Sequence, residues 1–324
     1  MRVLITGGVG FIGSKLAREV LKRGSLTDQV GDRREVNELV LFDQFPPQTP
    51  NTDPRVKVET GDLTDRATMQ RVIGGTTDTI FHLAAVVSGA AEADLGLGLR
   101  VNLDGTRQSL ELAAESGRKP KFVFASSLAV YGGPAALSVT DATQPAPQSS
   151  YGAQKLMGQI LVGDFDRRGL VDGRALRFPT VAIRPGKANA ANSSFISAVI
   201  REPVAGRPTV CPVPGDVPIA LISPDRLVDA VIRLHDITTA DFGRPRSLVL
   251  PAIRVNVDEM LDALDKVVGK DARKLVTFKP DPRIEPMVRS WPAEVTSARA
   301  RSLGVETDQD ALAFVRQYVE EFGS

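Results

Sequence analysis

The N-terminal stretch MRVLITGGVGFIGSKLAREVLKR, residues 1–23, decides the fold. A β-branched, apolar run at Val3–Thr6 is followed by the glycine-rich turn Gly7–Gly13 and then by a helical pattern at Ser14–Arg23. Glycines in such a turn allow a tight bend, a close backbone approach to a pyrophosphate and close packing of the helix on the strand. The helix N-terminus then presents free N–H groups to the phosphates. A glycine pattern alone is as typical of an ordinary turn, but the strand–turn–helix context favours dinucleotide binding.

The alternation of short apolar runs with helical patterns continues through the first half of the chain. Further strands are predicted at Leu39–Phe42, Val56–Glu59, Thr79–Leu83, Phe122–Ala125 and Ala175–Phe178. Helices are predicted between them, as at Asn102–Ser116 and Tyr151–Asp166. Such alternation predicts right-handed βαβ units and a parallel sheet. We therefore predict an α/β fold with a Rossmann-type, doubly wound parallel sheet and a smaller C-terminal substrate-binding cap.

The division between these two parts is indicated by a change in pattern after residue 178, where proline and glycine become denser. We predict a cofactor-binding Rossmann domain over residues 1–180 and a region that is mainly substrate-binding cap over residues 181–324. A helical pattern at Ser223–Leu234 predicts a return to the first domain near residues 217–240. Amphipathic patterns predict two later helices, at Val257–Val268 and Asp308–Phe322.

Composition limits the possible functions. The formal net charge of +1 on 324 residues indicates neither nucleic acid nor an anionic membrane as a partner. The single cysteine, Cys211, cannot form an internal disulfide, and such low usage is typical of a reducing compartment. With only His82 and His235, a Cys/His metal cluster is excluded. No stretch approaches the ~20 apolar residues of a membrane span, so we predict a cytoplasmic protein without a metal site.

Asp43 ends the second predicted strand, where a carboxylate can accept hydrogen bonds from both hydroxyls of a ribose. It lies farther from the glycines than the usual spacing of about 20 residues, and the charged stretch Asp28–Glu38 predicts an inserted loop that accounts for the difference. Gln44 and Phe45 follow Asp43 rather than an arginine. Because a carboxylate would repel a 2′-phosphate, the sequence favours NAD over NADP. A solvated aspartate at a strand end is the alternative.

Tyr151 and Lys155 lie four residues apart on a predicted helix and therefore share one face. A free tyrosine has a pKa of about 10, and a nearby ammonium lowers that pKa toward the range that general acid–base catalysis requires. Ser126 or Ser127, at the end of the fifth strand, can hold the reacting oxygen. A lone YxxxK pattern is common, and the alternative is a helix start with the tyrosine in the core. A Ser–His–Asp hydrolase is not favoured, because no GxSxG motif accompanies the histidines.

These motifs together resemble the extended short-chain dehydrogenases/reductases, a family that includes nucleotide-sugar epimerases. TGGVGFIG resembles the family's TGxxGxxG, and SSLAVYGG with PQSSYGAQK resembles its serine and Tyr/Lys motifs. GDLTD resembles its adenine-binding segment, HLAA the segment after the fourth strand, VNLDGT the asparagine before the central helix, and RFPT the border of the nicotinamide. The resemblance spans nearly the whole chain. It implies a homodimer built on helices near residues 100–116 and 151–167.

The resemblance also implies roles for individual residues. Ser127, four residues before Tyr131, is the better match for the catalytic serine, beside Ser126. Tyr151 and Lys155 complete the expected catalytic set. The residues expected to bind NAD are Gly7, Gly10, Phe11, Ile12, Gly13, Asp43, Asp62, Leu63, Leu83, Ala84, Ala85, Asn102, Tyr151, Lys155, Pro179, Thr180 and Val181.

Two segments, AAVVSGAAEADLGLGLRVNLDGTR and RFPTVAIRPGKANAANSSF, most resemble a member of the family that oxidises the C2 hydroxyl of a four-carbon sugar acid with NAD. In the implied reaction Tyr151 takes the hydroxyl proton, while Lys155 favours the phenolate and binds the nicotinamide ribose. The carboxylate of a sugar acid suits an arginine fork, and Arg184 is the first candidate, with a structural arginine as the alternative. The expected substrate-binding residues are Ser88, Ser127, Tyr151, Arg184, Asn189 and Asn192.

Competing hypotheses share much of this site. An NAD-retaining nucleotide-sugar 4-epimerase would keep the same fold and the same Tyr/Lys pair. A dehydratase is less favoured, because Leu128 and Ala129 follow Ser127 without an acid pair that could expel water. A non-catalytic cofactor sensor would be expected to have lost the Tyr/Lys pair, which is intact here.

Overall fold

The structure is a computed structural model that describes residues 1–49, 51–133, 137–186 and 191–323. Its strands are β1 (Arg2–Thr6), β2 (Ser25–Thr27), β3 (Arg33–Glu35), β4 (Glu38–Asp43), β5 (Val56–Thr60), β6 (Thr79–His82), β7 (Lys121–Ser127), β8 (Ser138–Val139), β9 (Asp172–Phe178), β10 (Thr180–Val181), β11 (Thr209–Cys211), β12 (Pro218–Ile222), β13 (Ser247–Val249), β14 (Ile253–Asn256), β15 (Val276–Phe278) and β16 (Glu294–Val295).

Its α-helices are α1 (Phe11–Arg23), α2 (Arg66–Ile73), α3 (Ser88–Ala93), α4 (Leu95–Gly98), α5 (Gly105–Glu115), α6 (Ser150–Arg167), α7 (Ser194–Val204), α8 (Pro224–Asp236), α9 (Thr239–Phe242), α10 (Val257–Val268), α11 (Lys270–Arg273), α12 (Glu285–Arg289), α13 (Ala298–Ser302) and α14 (Ala311–Phe322). A π-helix joins α4 to α5 at Leu99–Asp104, and a 3₁₀ turn follows β7 at Leu128–Val130.

The main sheet of the described residues has seven parallel strands in the order β13-β9-β7-β6-β1-β4-β5. The strands of a parallel sheet are buried on both faces, and β6 and β7 are accordingly buried along almost their whole length. The chain runs outward from β1 through β4 and β5 and then returns to β6 on the other side of β1. Ligands bind at the carboxyl ends of the strands where the order reverses in this way. The predicted α/β class and parallel sheet are confirmed.

Apolar clusters cover both faces of this sheet. On one face Leu16 and Val20 of α1 pack with Leu227 and Val231 of α8. On the other face α2, α5 and α6 contribute Met69, Leu110 and Val162. The helix predicted at residues 223–234 is therefore present as α8 and lies on the main sheet. β13, at residues 247–249, also joins this sheet and lies beyond the predicted return segment of 217–240.

A separate apolar cluster lies in the second half of the chain. The three-stranded sheet β10-β12-β14 packs with α7, α10 and α14 around Ile196, Met260 and Phe314. We call these six elements the cap. Asn256 begins α10 with a capping box to Glu259, which explains why the amphipathic pattern starts where it does.

Two predicted segments differ from the structure. The charged stretch Asp28–Glu38 is not simply a loop, because Arg33–Glu35 pairs antiparallel with Ser25–Thr27. The Asp28 carboxylate fixes the turn by accepting hydrogen bonds from three successive backbone N–H groups. The helix predicted at Asn102–Ser116 begins within the π-helix. A π-turn is frequent at functional sites, and this one carries Asn102.

Candidate active site

The glycine turn between β1 and α1 forms a cradle of backbone atoms with no room for a side chain at Gly7 or Gly13. Gly7 has a φ of +70°, and a Cβ there would lie 2.9 Å from the backbone nitrogen of Ala84. A Cβ on Gly13 would lie 2.1 Å from the carbonyl oxygen of Gly7. Gly10 is the N-cap of α1 and has no side chain to cap it, so the positive end of the helix faces the turn with Phe11 and Ile12 in its first residues. This cradle fits a pyrophosphate.

Asp43 lies directly beside that cradle. Its Oδ2 accepts a hydrogen bond from the backbone N–H of Val9 at 3.1 Å, and its Oδ1 accepts one from Gln44 at 2.8 Å. Each carboxylate oxygen can accept a second hydrogen bond, so Asp43 can still accept hydrogen bonds from the hydroxyls of a ribose. Asp62 is exposed in the loop after β5, and Leu63 is buried against Gly105. These positions suit the adenosine end of a dinucleotide.

The segment after β6 runs along the other side of the glycine turn. Leu83 and Ala84 donate their backbone N–H groups to the carbonyl and the hydroxyl of Thr6, at 3.1 and 3.3 Å. The next residues are Ala85 and Val86, and Val86 exchanges two hydrogen bonds with the side chain of Asn102, at 2.8 and 3.0 Å. Asn102 also donates to Gln154 at 2.8 Å. Both amide hydrogens of Asn102 thus form hydrogen bonds within the protein. A role of Asn102 in NAD binding stays a prediction, and that role would be to hold the segment after β6 in place.

The predicted catalytic groups meet at the carboxyl end of β7. α6 starts beside the turn that follows β7, and a Cβ on Gly152 would lie 2.0 Å from the carbonyl oxygen of Ala129. This close approach brings Tyr151 to Ser127, whose hydroxyl hydrogen-bonds to the phenol. The Nζ atom of Lys155 lies 5.7 Å from the centre of the Tyr151 ring and 4.8 Å from that of Phe124.

Burial and nearby charges have opposing effects on the titratable groups of this centre. Lys155 is only 2% exposed, and burial lowers its pKa from 10.5 to about 7. Burial raises the pKa of Tyr151 above its usual value of 10, while the positive charge of Arg184 and the hydrogen bond from Ser127 lower it. The charge of Arg184 therefore favours the phenolate, and the same effect of Lys155 stays a prediction. The pKa of Lys155 is lowered because an ammonium surrounded by apolar groups loses its proton more readily.

Ser126 and Ser127 point to opposite faces of β7, as neighbours on a strand do. Ser126 is buried, and its hydroxyl lies 3.4 Å from Oε1 of Gln159. Gln159 in turn accepts a hydrogen bond from Arg177, which also donates to the hydroxyl of Tyr131. The structure thus brings Ser127 to Tyr151 and places Ser126 in a separate polar network.

Arg184 follows β10 and approaches the same centre from the cap side. It is half-buried, and its Nε donates to the carbonyl of Val181 at 3.3 Å. Burial lowers its pKa, and the charge that opposes this effect comes from Tyr151. No carboxylate of the described residues forms an ion pair with Arg184. Pro179, Thr180 and Val181 connect the carboxyl end of β9 to this arginine.

Two other predicted substrate residues are close to each other. Ser88 begins α3, and its hydroxyl lies 3.5 Å from the backbone nitrogen of Asn192. The amide of Asn192 also contacts the sulfur of Met287 at 3.4 Å. Asn189 lies outside the described residues. Sequence reasoning missed Gln154, which is 1% exposed and holds Asn102 from within the YGAQK motif itself. The position of Gln154 between Tyr151 and Lys155 is the feature of the sequence that could have indicated its role.

Comparison with known proteins identifies the family. Residues 3–238 match the model of the NAD dependent epimerase/dehydratase family. The chain belongs to this family.

Relatives in this family are similar to this chain over its full length. A protein of Cupriavidus necator named D-erythronate dehydrogenase is 45% identical over 323 residues, which cover 100% of this chain and 99% of the relative. A Haemophilus influenzae protein of the same name is 37% identical over 320 residues, 99% of each chain. A solved structure described as the nucleoside-diphosphate-sugar epimerase from Agrobacterium tumefaciens is 36% identical with a TM-score of 0.92, covering 100% of this chain and 95% of that one. The predicted family and the Rossmann-type fold are confirmed.

No helix among the described residues of this epimerase/dehydratase family member is both long and apolar enough to cross a membrane.

Proposed function

We propose that this chain is an NAD-dependent dehydrogenase that oxidises the C2 hydroxyl of D-erythronate to 2-oxo-erythronate. The observation that carries the substrate class is the charge of Arg184, which acts on Tyr151 and has no carboxylate partner among the described residues. In a 2-hydroxy acid the carboxylate and the reacting hydroxyl lie on adjacent carbons. A cation beside the catalytic phenol therefore suits such a substrate. The full-length relatives named D-erythronate dehydrogenase support the same assignment.

In the proposed reaction the side chains divide the work between proton transfer and orientation. Tyr151 removes the proton from the C2 hydroxyl, and the Ser127 hydroxyl, which already reaches that phenol, orients the substrate oxygen. Arg184 pairs with the substrate carboxylate. This pairing stabilises the positive charge of Arg184 and places C2 correctly. Lys155 gains a proton more readily once anionic groups are bound nearby, and it then stabilises the phenolate.

The backbone cradle at Gly7, Gly10 and Gly13 and the carboxylate of Asp43 would hold NAD. When bound there, NAD supplies the two-electron acceptor for the hydrogen on C2. Lys155 would also bind the nicotinamide ribose. The cofactor contacts of the remaining predicted residues, from Asp62 to Val181, belong to the same proposal.

The other parts of the molecule have proposed roles that follow from the same assignment. Residues 1–180, with the return segment near 217–240, would bind the cofactor, and residues 181–324 would mainly supply the substrate pocket. Ser88 and Asn192, which meet at the edge of the cap, would bind the remaining substrate hydroxyls, together with Asn189.

A cytoplasmic homodimer also stays a prediction. The helices near 100–116 and 151–167 are expected to form its interface, and the exposed apolar side chains of Met157 and Ile160 on α6 support this expectation. Sedimentation of the purified protein tests it.

The second candidate is a nucleotide-sugar 4-epimerase that retains its NAD. The description of the A. tumefaciens structure favours it. The two functions differ in what leaves the enzyme, because a dehydrogenase releases reduced cofactor and an epimerase does not.

The test is turnover of four- to six-carbon aldonates with NAD, followed by the absorbance of released NADH. We expect oxidation of D-erythronate and no epimerisation of a UDP-sugar. Tyr151→Phe should abolish turnover and leave NAD binding largely intact, and Tyr318→Phe, on α14 of the cap, is the matched control. Epimerisation of a UDP-sugar with retained NAD would overturn the proposal, and so would near-native turnover by Tyr151→Phe.

A further inference from the structure

The backbone of Arg184 is held at both of its polar atoms by one helix. Its N–H donates to the hydroxyl of Ser197 at 3.0 Å, and its carbonyl accepts a hydrogen bond from Nη1 of Arg201 at 3.2 Å. Ser197 and Arg201 are four residues apart on α7 and so lie on one face of it. Each is only 4% exposed, so both contacts to Arg184 are buried and shielded from solvent.

Arg201 is itself anchored, so that its contribution to Arg184 is a hydrogen bond rather than a free charge. Its Nε donates to the carboxylate of Glu202 at 2.7 Å, and Arg207 donates to the other oxygen of the same carboxylate at 2.7 Å. The positive charge of Arg201 is thereby paired with a carboxylate that Arg207 shares. Arg184 has no such carboxylate partner among the residues that the structure describes.

These contacts fix the backbone of Arg184, and a further hydrogen bond holds one atom of its side chain. With its N–H and carbonyl fixed by α7, and with its Nε bound to the carbonyl of Val181, the two terminal nitrogens are the part that remains to form a carboxylate fork. A long side chain that is already ordered loses less conformational entropy when a ligand binds. Placement to within a fraction of an ångström also matters for catalysis.

We propose that Ser197 and Arg201 are positioning residues that orient the Arg184 guanidinium toward the substrate carboxylate and toward Tyr151. This inference rests on the proposed function for the role of Arg184 as the carboxylate ligand. It adds two residues of α7, neither of which reaches the substrate, as determinants of affinity for the acid.

A double-mutant cycle between Ser197→Ala and Arg184→Gln tests the inference through substrate kinetics. Ser197→Ala should raise the KM for D-erythronate about tenfold, because it removes one hydrogen bond and loosens the guanidinium. The KM for NAD should stay within about twofold. If Ser197 acts through Arg184, the double variant will be no worse than Arg184→Gln alone. Additive losses would show a general structural role and overturn the inference.

A second measurement does not depend on the substrate. The phenol of Tyr151 faces Arg184, Ser127 and Lys155, and its ionisation can be followed by phenolate absorbance, with Tyr151→Phe as the reference. Ser197→Ala should shift this titration upward in the same direction as Arg184→Gln and add nothing to that variant. Arg201→Met should act in the same way.

The control is Ser302→Ala, which removes an exposed hydroxyl on α13 and should change neither measurement. If the native enzyme oxidises no aldonate, the proposed function fails, and the tyrosine titration still decides whether α7 aims Arg184. An unchanged titration in both Ser197→Ala and Arg201→Met overturns the inference even when D-erythronate is the substrate.

Discussion

Replacing Arg184 with glutamine removes the charge that the proposed substrate needs. A hydrogen bond to a charged group contributes about 1.5–3 kcal/mol, and loss of one partner of a close charge pair costs about 2–5 kcal/mol. A loss of about 3 kcal/mol corresponds to roughly a hundredfold lower kcat/KM, since about 1.4 kcal/mol is tenfold. Most of this loss should be in the KM for D-erythronate, and the KM for NAD should not change.

The same substitution should alter the pH dependence of oxidation. The charge of Arg184 lowers the pKa of Tyr151 against the opposing effect of burial. Without that charge the pKa of Tyr151 rises, so the phenolate forms at higher pH. Because oxidation requires the phenolate, the alkaline rise of kcat/KM should move to higher pH in Arg184→Gln. Steady-state kinetics from neutral to alkaline pH measure both effects.

The matched control is Arg254→Gln, which removes an exposed arginine from β14 of the same cap. It should keep native kinetics. If Arg184→Gln remains within about threefold of the native kcat/KM with an unmoved pH profile, Arg184 does not bind the carboxylate. A rise confined to the KM for NAD would instead assign Arg184 to the cofactor.

Three further substitutions test separate parts of the site. Ser127→Ala should lower kcat by about 100-fold or more, since it removes an orienting hydroxyl, while Ser126→Ala should stay within about threefold; steady-state turnover compares them. Gly13→Ala should abolish NAD binding in a fluorescence titration, because its Cβ would lie 2.1 Å from a carbonyl oxygen, whereas Gly75→Ala, where a Cβ meets nothing within 4 Å, should bind normally. Lys155→Met should be inactive yet more stable by up to a few kcal/mol near neutral pH, where the native protein bears the cost of a buried ammonium. The pKa of Lys155 is about 7 in the folded protein, below its usual value of 10.5, so this cost decreases as the pH rises from about 7 toward 10.5. The difference in Tm between Lys155→Met and the native protein should therefore shrink as the pH rises. A difference that stays constant with pH would contradict this account.

The parts of the fold that were predictable are those that local pattern controls. The strand–turn–helix at the N-terminus and the buried strands β4, β6, β7 and β9 follow from runs of apolar residues bounded by turns. β13 could not be predicted in the same way, because it has three residues and its place is set by pairing with β9. The β2–β3 hairpin was hidden because β3 is entirely exposed and charged.

The site divides along the same physical line. The pairing of Tyr151 with Lys155 follows from helical spacing, and the choice of Ser127 over Ser126 requires only the phase of a strand. The effect of Arg184 on the phenol, in contrast, does not follow from spacing. Lys155 is desolvated, and Arg184 arrives from a different part of the fold. Contacts between residues so distant in sequence depend on the packing of the cap.

The unpaired charge of Arg184 also bears on the choice between a dehydrogenase and an epimerase. The NAD cradle and the Ser127–Tyr151–Lys155 centre serve both reactions equally, so neither discriminates. In a nucleotide sugar the anionic diphosphate is attached to C1, across the ring from the C4 hydroxyl that a 4-epimerase oxidises. In a 2-hydroxy acid the anionic group is one bond from the reacting carbon. A guanidinium that acts directly on Tyr151 therefore fits the acid better than the nucleotide sugar. Because every aldonate shares the C1–C2 unit, Arg184 should not distinguish four carbons from six, and that selection would fall to the contact between Ser88 and Asn192 at the edge of the cap.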